Sequence, residues 1–162
     1  MQFTMQGFKL IKEFEGCSLV AYQDQRGMWT VGYGATGPGI VSGTQWTQDQ
    51  ADARLVKDIQ SMSEYVSRYL KVVPNDNQYT AMVCFAYNVG PGNFRDSTLC
   101  ALFNASKFQE CADELLKWDH VAGSISAGLL RRREAERSLF LEPAEPILEP
   151  DLLPEQQNLS LC

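Results

Sequence analysis

The chain is organised around residues 13–34, which read EFEGCSLVAYQDQRGMWTVGYG. A run with apolar residues at helical spacing reaches this stretch from the N-terminus, and Gly16 is a natural end for such a helix. Residues 19–22 and 28–33 then have the composition of strands, and turn-forming residues separate them. The stretch therefore predicts a helix end, a strand, a tight turn and a second strand in close succession.

Three side chains in this stretch are suited to chemistry, namely Glu15, Asp24 and Thr30. Glu15 is predicted to lie at the negative end of a helix dipole, which disfavours the ionised carboxylate and suits a general acid. Asp24 is predicted in the turn and Thr30 on the second strand, where each taken alone also fits an ordinary structural role. Two carboxyl groups in different environments on opposite walls of a cleft are the requirement for cleaving a glycosidic bond.

Most of the remaining chain predicts helices. Capping residues indicate helix starts at Thr4, Thr47, Asn75, Ser97 and Ser106, with Gln50, Gln78 and Gln109 completing three capping boxes. The second of these helices has an apolar face that continues to about Tyr69. The third, AMVCFAYNVG, is apolar nearly all round and is therefore predicted to be buried.

The C-terminal part of the body is predicted to contain loops and one further helix. GPGN at 90–93 is expected to break the buried helix, and 123–128 is expected to be a loop. A final helix is predicted over 129–141, with most of its charged residues outward, as charged side chains usually are.

Length and composition place the chain among ordinary globular proteins. Its 162 residues can bury one sizeable core, and 44% apolar and 21% charged residues are usual values for such a chain. No stretch reads as a membrane span or a signal peptide, so we expect cytoplasmic synthesis, assisted export and no stable membrane association.

The net charge of −6 arises mainly from residues 142–162, which hold five acidic residues, four prolines and no Lys or Arg. This composition predicts a mobile or loosely docked tail. Acidic and basic residues nearly balance in the rest of the chain, and the absence of a basic stripe argues against a nucleic-acid partner. The odd number of cysteines and the absence of Cys/His clusters predict free thiols, no metal site and no cofactor.

Several separated motifs resemble one family. The sequence E-G-x-x-L-x-A-Y-x-D from Glu15 is followed by W-T-x-G-Y-G from Trp29, by F-A-Y-N-V-G-x-G-N-F-x-x-S-T-L from Phe85, and by G-L-x-x-R-R-x-A-E from Gly128. These motifs resemble the phage-type lysozymes, the endolysin muramidases of glycoside hydrolase family 24. The spacing of Glu, eight residues, Asp, five residues and Thr matches that family's catalytic pattern in full, and the resemblance covers about residues 5–141.

The resemblance implies a lysozyme-like α+β fold that is mainly helical. It implies one catalytic domain over 1–141, with a small N-terminal lobe and short antiparallel sheet to about 46, a bridging helix over about 47–69, and a helical lobe over about 70–141. The tail 142–162 has no counterpart in the pattern.

The resemblance also implies roles for particular residues. Glu15 is expected to be the general acid on the β(1→4) bond between N-acetylmuramic acid and N-acetylglucosamine in bacterial peptidoglycan. Asp24 is expected to be the base or nucleophile, and Thr30 to hold the water or the Asp24 side chain. The matching positions for substrate contacts are Tyr87, Asn88 and Ser97, although packing and capping explain them equally well.

Two further positions belong to the same resemblance. The family's arginine pair corresponds to Arg132 and Arg133, for which packing against carboxylates under the cleft is a better interpretation than substrate contact. Ala35 stands where many relatives have histidine, so a local ion pair is missing and the small lobe must be stabilised in another way.

The leading hypothesis is a monomeric endolysin that reaches the wall through a holin and lyses the host cell. Alternatives are a lytic transglycosylase, a wall-degrading toxin delivered by a secretion machine, and a non-catalytic wall-binding module. Whether hydrolysis retains or inverts the anomeric configuration depends on the distance between the carboxyl groups, about 5 Å for retention and about 6.5–9.5 Å for inversion.

Overall fold

The computed structural model describes residues 1–121 and 123–143, which form seven helices and two β-hairpins. The helices are α1 (Met5–Glu15), α2 (Gln48–Tyr69), α3 (Asp76–Val89), α4 (Pro91–Asp96), α5 (Thr98–Asn104), α6 (Phe108–Leu115) and α7 (Ala127–Leu141). The strands are β1 (Ser18–Gln23), β2 (Trp29–Gly32), β3 (His120–Val121) and β4 (Ser124–Ile125). None of the helices in this part of the chain has the length and apolarity needed to cross a membrane.

Helix α1 ends where the sequence predicts. Gly16 adopts a positive φ of 66°, which glycine tolerates without steric cost, and its N–H donates to the carbonyl of Lys12 at 3.2 Å. Glu15 is consequently the last residue of the helix.

The start of α1 differs from the prediction. Thr4 occupies the N-cap position, but its side chain makes no capping hydrogen bond, and its N–H donates instead to Thr80 Oγ1 of α3 at 3.0 Å. The two helices approach closely at Gly7, where a Cβ atom would lie 2.3 Å from Thr80 Cγ2. Packing against α3 therefore decides how the chain enters α1.

The predicted first hairpin is present. Strands β1 and β2 pair antiparallel with Tyr22 opposite Thr30, and an irregularity in the ladder follows Ser18. The turn is closed by the N–H of Asp24, which donates to the carbonyl of Met28 at 2.9 Å. After the hairpin, Ala35 forms an isolated antiparallel bridge to Val31, and Gln45 forms another to Val20.

Helices α2 and α3 confirm the predicted capping. Thr47 and Gln50 form a capping box at the start of α2, and Asn75 and Gln78 form another at the start of α3. Residues 79–86 of α3 are all buried, which confirms that this helix is central to the core. Helices α1, α2 and α7 all pack against it.

GPGN breaks the buried helix as predicted, and three other local predictions in the C-terminal half need correction. GPGN ends α3 at Gly90, but Pro91 then begins α4, because proline suits the first position of a helix. Ser106 does not cap α6, whose N-cap residue is Lys107. The predicted loop 123–128 includes strand β4 and the first residues of α7, which starts at Ala127 and not Leu129. Strands of two residues are too short to show an alternating pattern in the sequence.

Buried apolar residues form a main cluster among the helices and a smaller one of Val31, Ala35 and Ile40 beneath the first hairpin. Trp46 packs against both. The division into lobes near residues 46 and 69 stays a prediction. The prediction of an acidic tail falls largely on residues 144–162, outside the described residues.

Candidate active site

A cleft of about 600 Å³ lies between the first hairpin, α2 and the C-terminal end of α3. It is lined by Glu15, Asp24 and Thr30, and also by Tyr87 and Asn88. Five of the six predicted site residues therefore meet in one place. They come from the end of α1, the turn of the first hairpin, β2 and the end of α3.

Glu15 reaches the cleft from the end of α1. Its Oε1 accepts a hydrogen bond from Arg132 Nη1 at 2.6 Å, and the guanidinium of Arg132 is almost fully buried while Glu15 is partly exposed. Its Oε2 lies near Gly34, where a Cβ atom would be 3.9 Å away. The two carboxyl oxygens thus have different surroundings, one held by arginine and the other without a hydrogen-bond partner among the described residues.

Asp24 is held by the turn of the first hairpin. Its Oδ1 accepts hydrogen bonds from the main-chain N–H groups of Arg26 at 2.9 Å and Met28 at 2.8 Å. The bond from Met28 is the largest cause that lowers the pKa of Asp24 below its ordinary value, and Arg26 adds to it through its N–H and its guanidinium. This carboxyl group is therefore kept ionised.

Thr30 belongs to β2 and is buried, and it lines the same cleft as Asp24. Its Oγ1 donates to the main-chain carbonyl of Met28 at 3.1 Å. Met28 also donates its N–H to Asp24, so the main chain of this one residue connects the threonine hydroxyl with the carboxylate.

The opposite wall is formed by the end of α3. The hydroxyl of Tyr87 donates to the carbonyl of Tyr33 at 3.0 Å, and burial raises the pKa of Tyr87 above its ordinary range. The Oδ1 of Asn88 accepts a hydrogen bond from Arg133 Nη2. Tyr87 is thus bonded to Tyr33, which follows the first hairpin, and Asn88 is bonded to the buried Arg133. Both residues also border the cleft.

Ser97 does not join them, and the expectation of a substrate contact there is corrected. Its Oγ accepts from the N–H of Cys100 at 3.1 Å and donates to the carbonyl of Phe94 at 2.7 Å, and the residue is buried. The hydroxyl caps α5 and also bonds to the carbonyl of Phe94 in α4. Capping is the alternative that the sequence left open.

Other residues of the cleft were not identified from the sequence. The additional charged and aromatic lining includes Tyr22, Arg26, Arg54, Asp58 and Tyr65. The spacing of four between Arg54 and Asp58 is a visible signal for a helix ion pair, and the pair is present at 2.8 Å. Which side of α2 faces a cleft depends on the position of the hairpin, so sequence spacing alone does not reveal it.

Beneath the cleft, α7 contributes three buried charged residues. Arg132, Arg133 and Glu136 are each at most 3% exposed, so the prediction that most charged residues of this helix point outward is wrong. Glu136 accepts from both arginines, which confirms the expectation that the arginine pair packs against carboxylates. Ion pairing makes their burial tolerable, because each charge has a partner of opposite sign.

The arrangement provides one carboxyl group with an unoccupied oxygen and one that is stabilised as the anion. Such a pair can supply a proton to a leaving oxygen and a negative charge on the other side of the bond. Among the described residues, no group of three or more His, Cys, Asp or Glu side chains is arranged to hold a metal ion.

Sequence comparison identifies several similar proteins. The family model described as phage lysozyme matches residues 12–136. The endolysin of Bacillus phage B103 is 39% identical over 143 residues, which are 87% of this chain and 54% of that protein. The SAR-endolysin of Enterobacteria phage PA-2 is 37% identical over 127 residues, which are 78% of this chain and 77% of that protein. The chain spans about half the length of the Bacillus phage relatives.

Solved structures agree with this result. The muramidase domain of SpmX from Asticaccaulis excentricus has a TM-score of 0.82 at 34% identity, covering 88% of this chain and 99% of that one. The endolysin from Escherichia coli O157:H7 phage FAHEc1 has a TM-score of 0.79 at 33% identity, covering 90% of this chain and 97% of that one. These similarities confirm the predicted fold class, a mainly helical α+β fold with a small antiparallel sheet.

Proposed function

This chain belongs to the phage lysozyme family, and from that premise we propose that it is a peptidoglycan-degrading enzyme of host cell lysis. In the finer form of the proposal it is a muramidase. It hydrolyses the β(1→4) bond between N-acetylmuramic acid and N-acetylglucosamine. The word muramidase in the name of the similar SpmX domain supports that choice of bond.

Glu15 is the general acid in this proposal. Since Arg132 occupies Oε1, the transferable proton resides on Oε2, the oxygen beside Gly34. In the first step this proton passes to the glycosidic oxygen as the bond to the anomeric carbon breaks. The leaving sugar departs with a free hydroxyl group, and the positive charge that develops on the other sugar needs a nearby anion.

Asp24 supplies that anion. As a base it takes a proton from the water that attacks the anomeric carbon, and as a nucleophile it bonds to that carbon before water displaces it. In either case the products are two sugar ends, one of them a new reducing end. Thr30 positions the water or the carboxylate, and Tyr87 and Asn88 contact the sugar or its peptide on the opposite wall.

One observation carries the proposal. Glu15 and Asp24 border the same cleft but have different surroundings: Glu15 contacts Arg132 through one oxygen only, whereas Asp24 is held by the hairpin turn, which lowers its pKa. Catalytic acid and base assignments are commonly found where environments separate two carboxyl groups in this way.

The test measures reducing ends and loss of turbidity on purified peptidoglycan. Wild type is compared with Glu15→Gln, Asp24→Asn and the control Glu13→Gln, an exposed carboxylate two residues away on the same helix. We expect both site variants to lose activity by at least about 10²-fold and the control to keep it. Full activity in Glu15→Gln would overturn the assignment.

The same digests separate the proposed reaction from its alternatives. Mass spectrometry of the fragments is expected to show muramic acid with a normal reducing end, whereas an anhydro end would indicate a lytic transglycosylase. Binding to peptidoglycan without new reducing ends would indicate a non-catalytic wall-binding module. Proton NMR of the first anomer formed decides between retention and inversion.

Host cell lysis and dependence on a holin are tested in cells. We expect cytoplasmic expression of wild type to leave a bacterial culture intact until the membrane is permeabilised, and lysis to follow at once. Expression of Glu15→Gln should give no lysis after the same treatment. Lysis by wild type without permeabilisation would contradict the dependence on a holin.

A further inference from the structure

One carboxylate, Glu136 of α7, lies at the centre of the charges beneath the cleft. It is fully buried, its Oε1 accepts from Arg132 Nε at 3.0 Å, and its Oε2 accepts from Arg133 Nη1. Both arginines are themselves at most 3% exposed. Glu136 is therefore the common partner of two buried guanidinium groups.

Each guanidinium extends from Glu136 to a different wall of the cleft. Arg132 donates through Nη1 to Glu15 Oε1 on α1, at 2.6 Å. Arg133 donates through Nη2 to Asn88 Oδ1 on α3. The resulting chain of hydrogen bonds joins the two walls through the interior, and Glu136 is its middle member.

The contact at Asn88 determines which end of its amide faces the cleft. A guanidinium has only donors, so the group that it meets must be the amide oxygen. The NH₂ group of Asn88 is left for the cleft that the residue borders. It can therefore recognise only an acceptor, such as the carbonyl oxygen of an acetamido group or a carboxylate.

The charges of the four ionisable members cancel when all are ionised. Glu15 and Glu136 carry the negative charges, and the two arginines carry the positive ones. When Glu15 carries the proton that the proposed acid needs, Glu136 is the single negative charge beside two arginines, and its loss would leave both positive charges uncompensated beside Glu15. A nearby positive charge favours an ionised carboxylate, and an ionised Glu15 has no proton to donate.

We propose that Glu136 is a positioning residue, which keeps Glu15 able to carry its proton and turns the Asn88 amide toward the substrate. This inference rests on the proposed function, since it assigns Glu136 a part in the reaction attributed to Glu15. Glu136 itself influences the substrate only through Arg132 and Arg133.

Other charged or titratable groups that face this region do not replace Glu136. They are Cys84 and Tyr87 of α3, Arg54 and Asp58 of α2, Arg131 of α7, and Asp24 and Arg26 of the hairpin. Arg54 is paired with Asp58 and Arg26 with Asp24, while the described contacts of Glu136 are with the two arginines alone.

The test records kcat and KM for reducing-end release across a range of pH values for wild type, Glu136→Gln and Glu134→Gln. The control removes the same charge from an exposed position of the same helix. In Glu136→Gln we expect the basic limb of the kcat profile to move to lower pH by about one unit, with KM raised about fivefold. The control should retain the wild-type profile.

A second variant keeps the test decisive if Glu136→Gln fails to fold, as judged by circular dichroism. Asn88→Asp adds a negative charge beside Arg133 at the other end of the network with little change in shape. We expect its basic limb to move to higher pH, opposite to the shift expected for Glu136→Gln. A residue with a merely structural role would lower activity or stability without moving the limb.

The outcomes separate the two proposals. If wild type releases reducing ends and neither Glu136→Gln nor Asn88→Asp moves the basic limb, the role of Glu136 is overturned and the proposed function stands. If folded wild type releases no reducing ends, the proposed function fails, and the role of Glu136 fails with it.

Discussion

The main-chain unit of Met28 is shared by the two site residues of the first hairpin. Its N–H donates to Asp24 at 2.8 Å, and its carbonyl accepts from Thr30 at 3.1 Å. Thr30 and Asp24 are therefore linked through the backbone of the turn, and the described residues show no direct hydrogen bond between the two side chains. Both roles expected for Thr30 from the sequence, holding the Asp24 side chain or holding water, stay predictions.

The hydroxyl of Thr30 can be tested with Thr30→Val, which keeps the shape and removes the hydrogen bond. We expect activity on peptidoglycan to fall on the order of 10²-fold, because Asp24 and the water lose their alignment. Stability should fall by only about 1 kcal/mol, the usual net value of one hydrogen bond. Thr30→Ser is the control and should remain active; equal activity in both variants would exclude a role for the hydroxyl.

The carboxyl group of Asp24 should titrate below its ordinary pKa of 3.8, because the N–H of Met28 stabilises its ionised form. A depressed pKa in the folded state means that this stabilisation is complete above the pKa of the unfolded chain. It is lost as pH falls through the pKa of the folded protein. Carbon-13 NMR of the carboxyl group gives the midpoint directly, and a midpoint at or above 3.8 would contradict the geometry of the turn.

At the scale of elements, two similar capping signals have different outcomes. Thr47 with Gln50 caps α2, whereas Ser106 with Gln109 caps nothing. Ser106 instead ends α5 with a φ of 59°, where its N–H donates to the carbonyl of Phe103 and the next N–H donates to that of Leu102. These are the two bonds of a Schellman motif, so the requirements of the preceding helix decide the conformation of Ser106.

The cap of α2 predicts a measurable loss of stability. Thr47→Ala removes the side-chain oxygen that accepts from the N–H of Gln50, and we expect the free energy of unfolding to fall by about 1 kcal/mol. Urea unfolding followed by circular dichroism measures this change. Thr47→Ser retains the acceptor and should remain close to wild type.

The left-handed conformation of Ser106 predicts the opposite effect for Ser106→Gly. Glycine adopts a positive φ without the steric cost that serine carries, so we expect a gain in the free energy of unfolding of about 0.5–1 kcal/mol. A loss of stability in the same urea experiment would show that the serine hydroxyl contributes a contact that outweighs the backbone strain.

The segment that follows the first hairpin is joined to α2 by a hydrogen bond. Ala35, where the family resemblance implies a histidine in many members, is buried with Val31 and Ile40. The adjacent carbonyl of Thr36 accepts from Arg54 Nη2 of α2 at 3.0 Å. Arg54 also borders the cleft, and the expectation that other contacts stabilise the small lobe stays a prediction.

For the whole molecule, burial separates the cysteines of the described residues into two groups. Cys84, Cys100 and Cys111 are buried, and Cys17 is exposed. Burial raises the pKa of all three buried thiols, that of Cys111 to about 12. The reactive species is the thiolate, so these three should be inert in the folded protein.

Alkylation with iodoacetamide tests this difference in the native protein. Peptide mapping by mass spectrometry should find Cys17 labelled within minutes, and Cys84, Cys100 and Cys111 labelled only after addition of denaturant. The unfolded chain is the internal control for intrinsic reactivity. Rapid labelling of Cys84 in the folded state would contradict the tight packing of α3.

The sequence alone determined those features that depend on neighbouring residues. The caps at Thr47 and Asn75 and the end of α1 at Gly16 all involve contacts within a few positions, and the pattern of residues reports them directly. The same holds for the burial of α3, because a helix without a polar face has no side suited to water.

The tertiary structure decided what depends on distant partners. Glu15 and Arg132 are 117 positions apart, and no local pattern shows that a helix rich in charges turns three of them inward. Burying a charge is favourable only when its partners are already in place, and those partners come from α1, α3 and α7 together. The candidate acid is thus visible in the sequence, while the buried charges that surround it are a property of the folded chain.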